Sequence, residues 1–333
     1  MLGTQIAHAF LSAAKDHKTQ EDWALIKEKA YIKNKWFEEV FVNQNLDQWI
    51  EALQPKAVET WLQAYPEFAM QEKELGIIMA GNIPMVGFHD LICGLAAGWK
   101  VRVKLSSDDE VLIKFWVEKA SQIMPELADR ILFSDQFKGL DAAIATGSNN
   151  SARYFEYYFK NIPHLLRKNR NSVAVLTGSE SPEILTALGH DAFDYFGLGC
   201  RNITHLFLPK DYAFKPLFDA WETFNWIYNH NKYVNNYHYH KALLLMNLDP
   251  HLDTGFLLVK ERMELYSPVG MLNYSFYENP DEVSRIIASK LDEIQCVVST
   301  HPQVSGLKPG DTQKVHLGDY ADGKDVMAWF SSL

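Results

Sequence analysis

Cysteine is scarce, with three residues in 333. Cys93, Cys200 and Cys296 are too few and too scattered for a disulfide framework, and they lack the spacing of a metal site. Long apolar runs are missing as well: nothing approaches the roughly 20 uninterrupted apolar residues of a membrane span. The N-terminus, Met1-Leu2-Gly3-Thr4-Gln5, has neither the basic start nor the apolar core of a signal peptide. Positive charge is in deficit, the formal net charge being −10. Sequence-independent nucleic-acid binding needs a surplus of Lys and Arg to replace phosphate counterions, so that class is excluded. Three signatures are also absent: the G-x-G-x-x-G dinucleotide fingerprint, the Walker A loop and the G-x-S-x-G elbow of serine hydrolases. Expected is a soluble protein of a reducing compartment, the cytoplasm, with no membrane span and no nucleic-acid partner.

The composition is globular, with 47% hydrophobic, 13% aromatic and 22% charged residues. The length allows one large or two ordinary domains. From about Gln5 to Glu74, apolar positions recur at helical spacing through Trp23, Ile26, Ala30, Trp36, Val40, Leu46, Trp49 and Leu53. From Leu75 strands alternate with helices. Strands are predicted at 76–80, 100–105, 130–134, 141–145 and 172–176, and helices at 86–97, 108–123, 151–160 and 181–196. Gly98 is placed to cap the first of these helices. Further strands are expected at 203–208, 255–260, 269–277 and 294–299, with helical stretches at 214–248, 281–291 and 324–330. Such alternation indicates βαβ units and a parallel sheet, an α/β fold.

Cys200 stands out among the thiols. It follows Phe196-Gly197-Leu198-Gly199 and precedes Arg201-Asn202. The glycines remove steric cover, and an adjacent guanidinium favours the thiolate, the form that attacks carbonyls. Cys93, in an apolar helical run, and Cys296, in a strand-like one, read as packing residues. His238 and His240 lie in a helix-length aromatic run where their spacing does not put them on one face, so no metal site is expected. Trp221, Phe224, Trp226 and Tyr228 read as ordinary core ahead of an acyl tunnel.

Several short segments carry more when taken in order: Ala80-Gly81-Asn82-Ile83-Pro84, Val103-Lys104-Leu105-Ser106, Ala145-Thr146-Gly147-Ser148, Thr177-Gly178-Ser179-Glu180-Ser181-Pro182, Gly199-Cys200 and Glu264-Leu265-Tyr266-Ser267-Pro268-Val269. Their order and spacing resemble the aldehyde dehydrogenase superfamily. Within it the chain is most similar to the short acyl-CoA reductases of the LuxC type, which share the Gly-Cys-Arg-Asn context and the Asp319-Tyr320-Ala321-Asp322-Gly323 run. The resemblance extends from about Leu75 to the end, and more weakly over the N-terminal helices.

That resemblance implies a two-lobed aldehyde dehydrogenase-like fold whose parallel-sheet cofactor domain lacks the glycine fingerprint. The cofactor lobe would span 1–178, with a C-terminal segment from about 300 to 333 folding back on it, and the catalytic lobe 179–300. Cys200 would be the nucleophile, and Asn82 with the Cys200 backbone N–H would make the oxyanion hole. Lys104 would bind the adenosine ribose. Ser107 stands where NAD-preferring members often carry glutamate, which leaves room for NADPH, with NADH the alternative. Thr146, Gly147 and Ser148 would lie near the pyrophosphate, and Glu264 would bond the nicotinamide ribose. Leu176 stands where hydrolytic members carry the glutamate that activates water. The implied activity is NADPH-dependent reduction of an acyl-CoA, through an acyl-cysteine thioester, to a fatty aldehyde. An acyl-carrier protein is the other expected donor, and pairing into a homodimer or a larger reductase complex is implied. The alternatives are an acyl-transfer subunit of a fatty acid reductase complex and a superfamily oxidoreductase acting on acyl phosphate or aldehyde.

Overall fold

The computed structural model describes residues 2–333 of the chain, which divide into two compact units. One comprises the chain up to Asn169 together with Val315–Leu333, and the other is Arg170–Lys314.

The first unit opens with four helices, α1 (Leu2–Ala14), α2 (Glu21–Lys33), α3 (Glu39–Ala52) and α4 (Pro55–Leu62). The alternating part follows as β1 (Glu74–Ile78), α5 (Phe88–Ala96), β2 (Lys100–Lys104), α6 (Val111–Ile123), α7 (Glu126–Arg130), β3 (Ile131–Phe133), β4 (Ala142–Thr146), α8 (Asn149–Phe159) and β5 (His164–Arg167). The five strands form a parallel sheet in the order β3-β2-β1-β4-β5. Apolar runs such as Leu75-Gly76-Ile77 and Ala142-Ala143-Ile144-Ala145 are buried because helices cover both faces of such a sheet. Gly98 adopts φ +81°, and its amide bonds the Leu95 carbonyl to close α5. A Cβ there would lie 2.1 Å from the Ala69 carbonyl oxygen.

The N-terminal helices are part of this core. Phe10, Trp23, Trp49, Phe88 and Trp116 are buried together, and the rings of Phe88 and Trp116 stack at 4.0 Å. Two of the buried indoles donate to carbonyls, Trp23 to that of Ala13 at 3.0 Å and Trp116 to that of Phe10 at 2.9 Å. The C-terminal segment docks by its aromatic run: Trp61 Nε1 donates to Tyr320 Oη (2.7 Å), which lies 2.8 Å from Tyr65 Oη, and Tyr65 donates to Asp325.

The second unit holds β6 (Asn171–Val175), α9 (Pro182–Phe193), β7 (Ile203–Pro209), α10 (Phe214–Trp221), α11 (Asn231–Met246), β8 (Leu252–Asp253), β9 (Leu258–Glu261), β10 (Met271–Tyr277), α12 (Pro280–Ser289) and β11 (Ile294–Ser299). Its six-stranded sheet runs β11-β6-β7-β10-β9-β8, parallel throughout except for the β8–β9 pair. The first unit closes with α13 (Val326–Ser331). Because β6 pairs with β7 and β11, residues 170–178 belong with this second sheet, and the chain changes unit after Asn169, not at 178. On the C-terminal side the change falls after Lys314, not near 300, since Leu307 still bridges to Val298.

Candidate active site

In the first unit, β1 has β2 on one side and β4 on the other, both parallel to it, so the strand order reverses between β1 and β4. Ligands of open α/β sheets bind outside the carboxyl ends of the strands at such a switch point. The sequence-derived residues of this unit all fall on that edge. Asn82 follows β1 and is exposed, Lys104 ends β2, Ser107 is exposed just beyond it, and Thr146, Gly147 and Ser148 join β4 to α8. Ser148 caps α8, its hydroxyl accepting the Ser151 amide at 3.2 Å. The α8 N-terminus therefore offers amides and a positive dipole end to an anion, the features a pyrophosphate needs.

Two neighbours shape this edge that the sequence did not single out. Gly81 lies against Ser106, where an added Cβ would come within 2.6 Å of the serine Cβ and Oγ. Asp109 is buried and accepts the amide of Met85, a residue held at φ 54°. Its Oδ1 has no hydrogen-bond partner among the described residues, and burial pushes its carboxyl well above the usual range. Asp109 thus ties the loop that carries Asn82 to the turn before α6. That turn also explains why α6 starts at Val111 and not at 108. Lys104 is paired with Asp135, which follows β3, at 2.6 Å, and the pairing holds the Asp135 carboxyl low.

In the second unit, α9 gives way to a 3-10 turn, Asp194–Gly197, in which Tyr195 (φ 54°), Phe196 (φ 57°) and Gly197 (φ 74°) are left-handed in succession. Two of these are aromatic, and each costs about 1–2 kcal/mol in that conformation. The turn is held from Asn202, which is fully buried. Its Nδ2 donates to the carbonyls of Asp191 (3.0 Å) and Asp194 (2.9 Å), and its Oδ1 accepts the Gly199 amide at 2.8 Å. Cys200 is presented between these fixed points. It is exposed, whereas Cys93 and Cys296 are buried, and burial pushes the Cys93 thiol well up. The Cys200 carbonyl accepts from Ser172 Oγ at 2.9 Å, and that hydroxyl also takes the Cys296 amide of β11. Arg201 Nε donates to the Thr312 carbonyl, and Thr312 in turn donates to Asp191. Of these, the sequence pointed to Cys200 and its Arg201-Asn202 context. Ser172, Asp191 and Thr312 were missed.

Glu264 is exposed in the loop from β9 to β10. Since β7 and β10 run parallel, the segment before β10 and the one before β7 lie on the same sheet edge. The loop is fastened to the start of β7: Thr204 Oγ1 donates to the Leu265 carbonyl at 2.7 Å, and Ser267 Oγ lies 2.9 Å from the Thr204 carbonyl. Cys200 and Glu264 are therefore both carried by segments at the β7 start. Leu176 is not. Ser172, near the start of β6, touches Cys200, while Leu176 lies beyond the other end and is buried with its carbonyl on Tyr277 Oη. At about 3.3 Å per residue, four residues of strand put roughly 13 Å between them. Leu176 therefore says nothing about a base beside the thiol.

The aromatic stretch resolves into α10, a 3-10 segment (Glu222–Asn229) and α11. Trp221 and Phe224 are core beneath α9, and Trp221 donates to the Leu185 carbonyl. Trp226 is exposed. His238 lies on α11, its Nε2 3.0 Å from Tyr228 Oη.

The sequence matches no family model and no curated protein. Solved structures do match. An indole-3-acetaldehyde dehydrogenase of P. syringae, solved with NAD+, superposes at TM-score 0.66 with 12% identity, over 92% of this chain and 73% of that one. The fold is that of the aldehyde dehydrogenases. An NAD-dependent benzaldehyde dehydrogenase of Corynebacterium glutamicum matches at TM-score 0.63 and 10% identity, covering 91% and 77% of the two chains. A Mycobacterium tuberculosis aldehyde dehydrogenase complexed with NAD+ gives TM-score 0.63 and 12% identity over 90% and 73%. Among the described residues no helix is long and apolar enough to cross a membrane.

Proposed function

We propose that this protein is an acyl-CoA reductase that forms an acyl thioester on Cys200 and releases an aldehyde. The observation that carries the reading is the presentation of Cys200: an exposed thiol on a left-handed, hydrogen-bonded turn, in a chain with the aldehyde dehydrogenase fold. The Gly-Cys-Arg-Asn context supports the acylating subtype by its resemblance to the LuxC type.

In this reading the Cys200 thiolate attacks the thioester carbonyl. A carbon–sulfur bond forms to Cys200, the bond to the CoA sulfur breaks, and CoA leaves as its thiol once protonated. Asn82 supplies an amide donor for the oxyanion, a role worth roughly 3 kcal/mol in comparable acyl transfers. The switch-point edge, the α8 N-terminus and the Lys104 ammonium fit a nicotinamide dinucleotide. That cofactor, when bound, supplies the hydride that reduces the acyl carbon. Lys104 and Ser107 are assigned to its adenosine ribose, Thr146, Gly147 and Ser148 to its pyrophosphate, and Glu264 to its nicotinamide ribose. Cys200 then departs from the reduced carbon as thiolate and the aldehyde is freed. NADPH is the proposed reductant, with NADH the alternative. Acyl-CoA or an acyl-carrier protein is the proposed acyl donor, and a homodimer or larger reductase complex the proposed assembly.

Intact-mass measurement after incubation with acyl-CoAs, without cofactor, tests the covalent step. The wild type is expected to gain one acyl group that NADPH removes, and Cys200→Ala to gain none. An adduct that persists with both cofactors would favour an acyl-transfer subunit. No adduct with any chain length would overturn the reading.

A further inference from the structure

We propose that His205 is a positioning residue for the Glu264 loop, fixing the Glu264 backbone through a single neutral tautomer whose free nitrogen is satisfied by Ser275. The proposal rests on the reading above, in which Glu264 meets the cofactor.

His205 lies on β7, five residues after Cys200, and is fully buried. A sheet position in that environment requires only an apolar side chain for packing. Instead both ring nitrogens are engaged: Nδ1 lies 3.1 Å from the Glu264 carbonyl oxygen and Nε2 lies 2.9 Å from Ser275 Oγ. A carbonyl can only accept, so Nδ1 carries the proton. Nε2 then presents a lone pair, and the Ser275 hydroxyl donates to it. Burial pushes the His205 pKa down to about 4, which keeps the imidazole neutral in the physiological range. Ser275, on β10, is itself buried, so the pair is not a nucleophile and its base.

The neighbouring bonds act on the same loop. Asn273, paired with His205 across the β7–β10 register, donates from Nδ2 to the carbonyls of Glu264 (3.0 Å) and Tyr266 (2.7 Å). The Glu264 carbonyl is therefore held by two buried donors, while its side chain is exposed. Which way that carboxylate faces depends on how the backbone beneath it is held, and His205 sets this from the strand that follows Cys200.

The test separates cofactor affinity from acylation. NADPH and NADH Kd values are read by ligand fluorescence, and Cys200 acylation by intact mass without cofactor. His205→Leu is expected to weaken cofactor binding roughly ten-fold, the cost of leaving a buried carbonyl short of a donor, while acylation changes by less than about two-fold. His205→Asn, which keeps a donor near the Nδ1 position, should recover most of the affinity. Ser275→Ala removes only the hydroxyl that donates to Nε2, keeps the packing but leaves a buried ring nitrogen unpaired, and should weaken binding several-fold. Wild-type affinity in both His205→Leu and Ser275→Ala would overturn the proposal. So would equal losses of binding and acylation that His205→Asn does not rescue, since these mark a merely structural histidine. A wild type that binds neither cofactor, read first as the control, would instead overturn the functional reading beneath it.

Discussion

At Asn202 one amide joins three points of backbone, the carbonyls of Asp191 and Asp194 and the Gly199 amide, and so determines how Cys200 is offered. Asn202→Ala leaves those buried groups unpaired and is expected to destabilise the protein by about 3 kcal/mol or more, and to slow Cys200 acylation in the folded fraction. Urea denaturation and the acylation rate check both effects. Asp109 makes a pH-dependent prediction. Its folded pKa is raised by burial, so the stability it contributes is full at low pH. That stability is lost as pH rises above the ordinary carboxyl range, where the unfolded chain ionises before the folded one does. Asp109→Asn keeps the acceptor for Met85 without that penalty. It should match the wild type near pH 3.5 and exceed it increasingly toward neutrality; melting curves across pH that run in parallel would contradict this. The exposure of Cys200 was legible in its flanking glycines. The work of Asn202, Ser172 and His205 was not, because each acts on partners that only the fold brings near.

Most strands were legible because both sheets are mainly parallel with buried central strands, which writes each such strand as a short apolar run; β11 falls on its predicted span, 294–299. Two strands escaped. β5, His-Leu-Leu-Arg, lies at a sheet edge and is only half-buried, and β8 has two exposed residues. The predicted helix at 181–196 ends early because its last aromatics turn left-handed, a conformation their sequence does not announce. In the proposed reading, cofactor choice also involves a second element, which weighs toward the NADH alternative. Ser107 leaves room for a 2′-phosphate, yet β3 leads to Asp135, whose carboxylate reaches Lys104 at the end of β2. If Lys104 holds the adenosine ribose as proposed, that carboxylate would oppose a 2′-phosphate. Asp135→Asn should therefore raise the affinity for NADPH relative to NADH several-fold, and an unchanged ratio of Kd values would remove Asp135 from cofactor selection.

Across the whole chain, the helical lead-in proved to belong to the first core, through Phe10, Trp23 and Trp49 packed with Phe88 and Trp116. The tail joins the same unit through Tyr320 and α13. The two-lobed α/β organisation was legible from alternation and motif order, and the structural matches bear out the fold. The boundaries were not legible, since the chain passes from β5 of one sheet to β6 of the other across Lys168-Asn169-Arg170, with no composition change to mark it. The most direct test of the central claim is loss of NADPH or NADH absorbance with a panel of acyl-CoAs, wild type beside Cys200→Ala. Oxidation that depends on chain length and vanishes in the variant is the predicted result; no oxidation by the wild type with either cofactor, at any chain length, would contradict it.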